Sequence, residues 1–156
     1  MATYVSNNYT ITPPKNVEKG DQSQSGQYNS AAQVVTSADI IQLAKIPHGA
    51  TVVAFTEDHS TGATQMALKY GFARIGGDAT HTATAGTLLT GRTSLIIATC
   101  NQAAKNRESV VGGLPITISV TDADPNRYAD LIAVSAGTTP TTSLIINFVV
   151  FYRMDP

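Results

Sequence analysis

Cysteine, tryptophan and charge are all scarce in this sequence, and each shortage excludes a class of protein or of site. Cys100 is the single cysteine among 156 residues, which excludes an intramolecular disulfide and a cysteine-based zinc site. Tryptophan is absent, so an aromatic platform for stacking a sugar would depend on Tyr28, Tyr70 or Tyr128. Charged residues make up 13% of the chain, against about 25% in an average protein, which favours closely packed β-sheet and extensive contact with other proteins.

The charges that are present do not form a basic field. The formal net charge is −1, and the five lysines and five arginines are spread singly, apart from the pair Lys105 and Arg107. Nucleic acid is therefore not an expected partner, because its binding requires clustered cations.

The chain starts without the basic and apolar regions of a secretory signal and has no apolar run near the roughly 20 residues that span a bilayer. We expect no membrane partner and synthesis in a reducing cytoplasm, which suits the unpaired Cys100.

The composition changes once along the chain, near residue 32. Residues 12–30 are polar and rich in Pro, Gly and Gln, with little to bury. A segment of this kind does not offset its conformational entropy by forming its own core. We therefore predict a polar N-terminal arm over residues 1–32, either disordered or ordered on a neighbour, and a β-domain over residues 33–156. The apolar side chains of Tyr4, Val5, Tyr9 and Ile11 would let the start of the arm dock, for example as an added strand.

From residue 33 onward the sequence predicts strands separated by turns. Ala38 to Phe55 reads as one strand, a Pro47-His48-Gly49 reversal and a second strand, and Thr64–Ile75 alternates apolar and polar positions. Further strand-sized runs occupy residues 33–36, 88–89, 93–99, 114–120, 131–134 and 143–152. About eight strands at this spacing predict an all-β sandwich or barrel. Only Asn101–Ser109 has a composition that favours helix, and a single turn or a polar loop fits it equally.

One segment has the beginning of a calcium loop. Asp122, Asp124 and Asn126 would supply oxygens at the first, third and fifth positions of such a loop. Arg127 stands where the loop needs glycine, and Ala133 where it needs glutamate. We therefore predict a turn in which these side chains accept local backbone hydrogen bonds.

The histidines show no spacing typical of catalysis or metal binding. His48, His59 and His81 are far from one another in sequence, and His59 adjoins an acid and a hydroxyl only as a chain neighbour. Neighbouring side chains on a strand point to opposite faces, so they do not form a triad. No nucleophile elbow and no phosphate-binding glycine motif occurs. We expect no catalytic, cofactor-binding or metal-binding residues and no enzyme activity, although an active site assembled from distant residues has no sequence signature.

A family resemblance rests on residues 40–52, Ile-Ile-Gln-Leu-Ala-Lys-Ile-Pro-His-Gly-Ala-Thr-Val. This run resembles one in small virion proteins of tailed bacteriophages, where a strand ending in Leu-Ala-Lys-Leu-Pro is followed by a Gly-Ala turn and a second hydrophobic strand. Similar features are Leu-x-x-Gly-Phe within residues 64–73, Gly76-Gly-Asp78, Asp122-Ala-Asp124 and a closing strand ending in Tyr152. The resemblance extends over residues 38–153.

The resemblance implies a capsid decoration, or cement, protein of tailed bacteriophages. Such a protein is a jelly-roll-like domain, often a trimer, that sits on the capsid exterior, binds the major capsid protein and ties neighbouring coat subunits together. Its location would be the virion surface, and it would need no cofactor. The N-terminal arm would then become ordered along the capsid or a sister subunit. A carbohydrate- or receptor-binding module of a head fibre or tail remains an alternative, because one fold serves many functions.

Overall fold

The computed structural model describes residues 3–9, 20–30, 34–36, 39–47, 49–59, 67–74, 100–101, 106–110, 114–118, 128–135 and 144–154. Within these ranges all regular structure is β-strand. The strands are β1 Thr3–Val5, β2 Gly20–Asn29, β3 Ile40–Pro47, β4 Ala50–His59, β5 Ala67–Arg74, β6 Cys100–Asn101, β7 Asn106–Val110, β8 Ile116–Thr117, β9 Tyr128–Ser135 and β10 Ile145–Met154. No helix in the described ranges is long and apolar enough to cross a membrane.

The strand pairing is that of a jelly roll. Pairs form between β2 and β10, β3 and β9, β4 and β7, and β5 and β6, all antiparallel, as in one long ribbon folded back on itself. The ribbon is rolled up by two further antiparallel pairs, β10 with β4 and β9 with β5. Sheet A has the order β1-β3-β9-β5-β6, and sheet B has the order β2-β10-β4-β7 with β8 beside β4. The predicted all-β sandwich of jelly-roll type is confirmed.

The core lies between the two sheets because each strand places alternate side chains on its inner face. Strand β10 shows the pattern most clearly: Ile146, Phe148, Val150 and Tyr152 are buried, and the residues between them are partly or largely exposed. Burying each large apolar side chain of this kind contributes about 1.5–3 kcal/mol to folding. The strand predicted over residues 143–152 is thus present, and its alternation in the structure fixes which face of sheet B meets solvent.

The closest described contact between aromatic rings from the two sheets joins β4 to β5. The Phe55 ring from sheet B lies 5.0 Å from the Tyr70 ring of sheet A, centroid to centroid, with 53° between the ring planes. Both side chains are almost fully buried, and Leu68 and Phe72 share the inner face of β5. Tilted aromatic pairs at this distance stabilise beyond their buried area, by about 0.5–1.5 kcal/mol.

The predicted reversal at Pro47-His48-Gly49 connects two strands that belong to different sheets. Gly49 has a φ of 84°, a left-handed conformation that favours glycine over other residues. Its amide donates to the Ile118 carbonyl at 2.8 Å, and the Ile118 amide donates to the Ala50 carbonyl at 2.9 Å. These bonds hold the corner at which the chain passes from sheet A to sheet B, so β3 and β4 do not pair as a hairpin.

The N-terminal region differs most from the sequence prediction. Residues 20–29, which the composition placed in a polar arm, form β2 and pair with the whole length of β10. Residues 3–5 form β1, which runs parallel to β3. The inner face of β2 carries only one large apolar side chain, Tyr28, so the hydrophobic pattern of the sequence gave no strand signal. Backbone hydrogen bonds to β10 hold β2 in place, although few of its side chains are apolar. The boundary expected at residue 32 therefore comes after two strands of the sandwich, β1 and β2.

Several smaller expectations are also corrected. Residues 106–109, within the segment compatible with a turn, a loop or a helix, belong to β7, which pairs with β4. Of the expected strand over residues 33–36, the described residues 34–36 contain only a single bridge residue, Val35. The expected strands at residues 88–89 and 93–99 lie outside the described residues.

Candidate functional site

The residues that could have carried chemistry do not converge within the described part of the chain. His59 ends β4, and Cys100 begins β6, where it is opposite Leu68. His48, His81, Lys105, Asp122, Asp124 and Asn126 lie outside the described residues. Among the described residues no group of three His, Cys, Asp or Glu side chains has the arrangement of a metal site.

The tyrosines considered as a sugar-stacking platform are not available for that role. Tyr70 is fully buried, and Tyr28 and Tyr128 are 2% and 3% exposed. Tyr28 contacts the Tyr4 ring, with 6.1 Å between centroids. Burial raises the pKa of Tyr28 to about 12, with further contributions from Tyr4 and Asp39. An aromatic surface must therefore be sought elsewhere.

Residues 3–9 form a clasp between the two sheets. The Ser6 amide donates to the Gln42 carbonyl of sheet A at 2.9 Å, and the Ser6 hydroxyl donates to the Leu43 carbonyl. On the other side, the Asn7 amide donates to the Gln27 carbonyl of sheet B at 3.0 Å, and the Gln27 amide donates to Asn7 Oδ1 at 2.7 Å. This N-terminal clasp therefore joins β3 to the edge of β2.

The end of the clasp contacts a buried carboxylate on the outer face of sheet A. Asp130 is 1% exposed, and its Oδ2 accepts hydrogen bonds from the Tyr9 hydroxyl at 3.2 Å and from Gln42 Nε2 at 3.0 Å. The Lys45 ammonium lies 5.1 Å from the centroid of the Tyr9 ring, a cation–π geometry. Ile40 and Ile132 are also buried on this face. The Tyr9 hydroxyl and Gln42 Nε2 donate to the same oxygen, Asp130 Oδ2, and these hydrogen bonds join the end of the clasp to sheet A.

The outer face of sheet B carries a second set of polar side chains. It consists of the outward side chains of β2, β10 and β4, which the pairing register aligns in rows. One row contains Gln27, Asn147 and Asp58, and the next contains Ser25, Val149 and Thr56. Gln27 Nε2 donates to Asn147 Oδ1 at 2.7 Å. Apart from Asp58, these two rows are uncharged.

A depression of about 520 Å³ follows these two rows and is open to solvent. We call it the polar trough; its lining includes Asn7, Ser25, Gln27, Thr56, Asp58 and Asn147. Glu57, Gly26, Phe148 and Val149 complete the lining. The volume lies within the range of ligand sites in proteins, about 300–1,000 Å³.

Two large apolar side chains are exposed on the same face of sheet B. Phe151 is 40% exposed and is opposite Ser23 on one side and Ala54 on the other. Val53 is 43% exposed at the point where the register between β10 and β4 shifts. Sequence reasoning did not single out Phe151 or Asn147. The alternation of β10 places both on one face, but the neighbours on β2 and β4 depend on pairing between segments more than 80 residues apart.

Comparison with known proteins gives structural matches alone. No protein-family model and no curated protein matches the chain. The structure is similar to a chain in the cyanophage Pam1 capsid asymmetric unit, at 16% identity over 93% of both chains with a TM-score of 0.60. It is also similar to a chain in the capsid of Ralstonia phage GP4, at 14% identity over 99% of both chains with a TM-score of 0.69. At these identities the comparison shows a shared fold along nearly the whole chain.

Proposed function

We propose that this chain is a structural protein of a tailed-phage virion, without enzyme activity, that decorates the capsid exterior and bridges neighbouring coat subunits. The observation that carries the proposal is the similarity, over 93% and 99% of the chain, to chains found in two phage capsids. The resemblance of residues 38–153 to decoration proteins leads independently to the same class. The low charge content supports a role based on contact, since weakly charged surfaces are desolvated at little cost.

The edge of sheet A offers a surface for such contacts. Strand β1 is the last strand of this sheet, and the described residues place no strand on its far side. Val5 on this strand is 51% exposed, and Val34, whose carbonyl accepts a hydrogen bond from the Tyr4 hydroxyl, is 46% exposed. An edge strand with exposed apolar side chains is suited to pairing or packing with another chain. We call Val5 and Val34 the valine edge and propose that it faces a coat subunit or a sister subunit.

Co-sedimentation tests the function and the surface separately. Purified protein is mixed with empty capsids assembled from the cognate major capsid protein, and the pellet is analysed for bound chain. We expect the unmodified protein to bind and the double variant Val5→Asp, Val34→Asp to lose most binding. Val53→Asp is the matched control, because Val53 is 43% exposed and lies on the other sheet. Failure of the unmodified protein to bind refutes decoration, whereas equal binding by all variants refutes the valine edge alone.

The oligomeric state is a separate proposal. We infer a trimer, as the family resemblance implies. The expected mass is therefore three times the chain mass of 16.4 kDa. Sedimentation equilibrium of the purified protein, with and without capsids, measures this state. A monomer in solution that also binds capsids singly would contradict the trimer and leave the decoration role intact.

A further inference from the structure

The polar trough has the chemical lining of a sugar site. Amide groups come from Asn7, Gln27 and Asn147, hydroxyls from Ser25 and Thr56, and a carboxylate from Asp58. Side-chain amides both donate and accept hydrogen bonds, and a carboxylate accepts them, which suits the adjacent hydroxyl groups of a carbohydrate.

The amides are held in fixed orientations before any ligand binds. Gln27 Nε2 donates to Asn147 Oδ1, and Asn7 Oδ1 accepts from the Gln27 backbone amide, each at 2.7 Å. The trough therefore consists of side chains on paired strands and on the clasp, which reduces the entropy lost on binding. Preorganised polar groups of this kind determine which ligand orientation is accepted.

An apolar surface continues from the trough along β10. Val149 lies in the trough, and Phe151 follows two residues later on the same outer face. Its register neighbours Ser23 and Ala54 are small, and the Phe151 side chain is 40% exposed. Asn147 and Phe151 are separated by four residues of strand, roughly 13 Å. This length suits a short oligosaccharide, with one sugar ring against the amides and another against the aromatic ring.

The charges of the trough select among sugars. The partly exposed ionisable side chain among the described lining residues is the carboxylate of Asp58, since Glu57 is 1% exposed and faces the core. Sialic acids, sulfated sugars and phosphate groups are therefore disfavoured, because an anionic ligand would meet the like charge of Asp58. A neutral sugar meets no such penalty.

We propose that the polar trough and Phe151 form a binding site for a neutral oligosaccharide on the outer face of sheet B. This site is separate from the valine edge, so a chain bound to a capsid through sheet A would leave the trough accessible. The inference adds a ligand to the proposed function and stands without it, because its evidence is the lining of the trough and not the capsid similarity.

The test uses an array of immobilised oligosaccharides with neutral members, built from glucose, galactose, mannose and N-acetylglucosamine, and with sialylated and sulfated members. The full chain is applied, and dissociation constants for retained sugars are measured by titration in solution. We expect retention on neutral members only. Retention on no neutral sugar, or equal retention on anionic sugars, would overturn the proposal.

Variants locate the site. Asn147→Ala and Phe151→Ala should each raise the dissociation constant about tenfold, the effect of losing one good hydrogen bond or one stacking contact. Phe151→Tyr keeps the ring and should bind as the unmodified chain does. Val34→Ala, on the other sheet, is the control for a surface truncation. Unchanged affinity in both alanine variants would place the sugar elsewhere and refute the site.

Capsid co-sedimentation of the same variants separates the two proposals. Asn147→Ala and Phe151→Ala should bind capsids normally, and the doubly substituted valine edge should bind sugar normally. Urea denaturation of each variant identifies any loss of folding, and Asn147→Ala keeps the test valid if Phe151→Ala does not fold. Capsid binding without sugar binding by the unmodified chain would reject the sugar site and keep the decoration role.

Discussion

Gly26 provides a sensitive test of how the N-terminal clasp is held. Gly26 on β2 is opposite Phe148 on β10, and the clasp passes over it. A Cβ atom built at this position would lie 2.5 Å from the Asn8 Cβ, 2.9 Å from the Phe148 ring carbon Cζ and 3.0 Å from Asn7 Oδ1. All three distances are too short for ordinary contact, and two of them involve the clasp, so Gly26→Ala must displace the clasp or the ring.

The expected magnitude follows from two opposing effects. Overpacking costs about 1–3 kcal/mol. The lower entropy of the unfolded chain with alanine returns about 0.4–1 kcal/mol. We expect a net loss of about 1–2 kcal/mol in the free energy of unfolding, measured by urea denaturation. Where the clasp detaches locally instead, the amides of Asn7 and Tyr9 should exchange with solvent roughly tenfold faster, while amides of β10 remain protected.

Ser25→Ala is the matched control, because Ser25 is the adjacent residue, lies on the exposed outer face and gains no clash. Its free energy of unfolding should stay within about 0.5 kcal/mol of the unmodified value. The reasoning would be refuted if Gly26→Ala left both the free energy of unfolding and the exchange of the clasp amides unchanged. That result would mean that the clasp does not pack on Gly26 in solution.

Three further predictions concern single side chains. Phe55→Ala removes the ring that packs on Tyr70 and should lower the free energy of unfolding by about 3–5 kcal/mol in urea denaturation; a loss below 1 kcal/mol would contradict tight packing between the sheets. Tyr28→Phe should change stability little at pH 7, because the buried Tyr28 hydroxyl has no hydrogen-bond partner among the described residues. Burial raises the pKa of Tyr28 to about 12 in the folded chain, against 10.0 in the unfolded chain. The unmodified chain should therefore lose stability relative to Tyr28→Phe as the pH rises from 10 towards 12. Parallel curves of stability against pH for the two proteins would refute this. Tyr9→Phe removes the hydrogen bond to Asp130 but keeps the ring and should cost about 1 kcal/mol, measured by the urea midpoint; an unchanged midpoint would show that this bond does not stabilise the clasp.

The strands that could be predicted are those whose sequences are apolar or alternate between apolar and polar residues. Alternation over residues 64–75 predicted β5, the apolar run over residues 143–152 predicted β10, and the two apolar runs on either side of Gly49 predicted β3 and β4. These segments bury their own side chains, so their sequences carry the signal. Strand β2 carries almost none, because glutamine and glycine occupy its inner face and Tyr28 is its one large apolar residue. It is a strand because β10 offers a complete edge for backbone hydrogen bonds, which is a property of another part of the chain.

The candidate site was less predictable than the fold. Tyr28, Tyr70 and Tyr128 were the available aromatic candidates in a sequence without tryptophan, and all three are buried. Asn147 and Phe151 gave no signal, since an amide and an aromatic residue within an apolar strand are equally typical of a core position. Asn147 becomes part of a candidate site only because strand pairing aligns Gln27 and Asp58, from distant parts of the sequence, beside it.

The sequence by itself determined that this is an all-β protein with little charge, no intramolecular disulfide and no recognisable catalytic motif, because composition, local motifs and periodicity do not depend on contacts between distant segments. It also determined that residues 40–59 form two strands around a glycine turn. Tertiary structure alone decided that these two strands enter different sheets, that the polar N-terminal region completes both sheets, and that the amides of β2 and β10 line one trough. Those outcomes depend on hydrogen bonding between segments far apart in the chain, and no local pattern encodes the choice of partner.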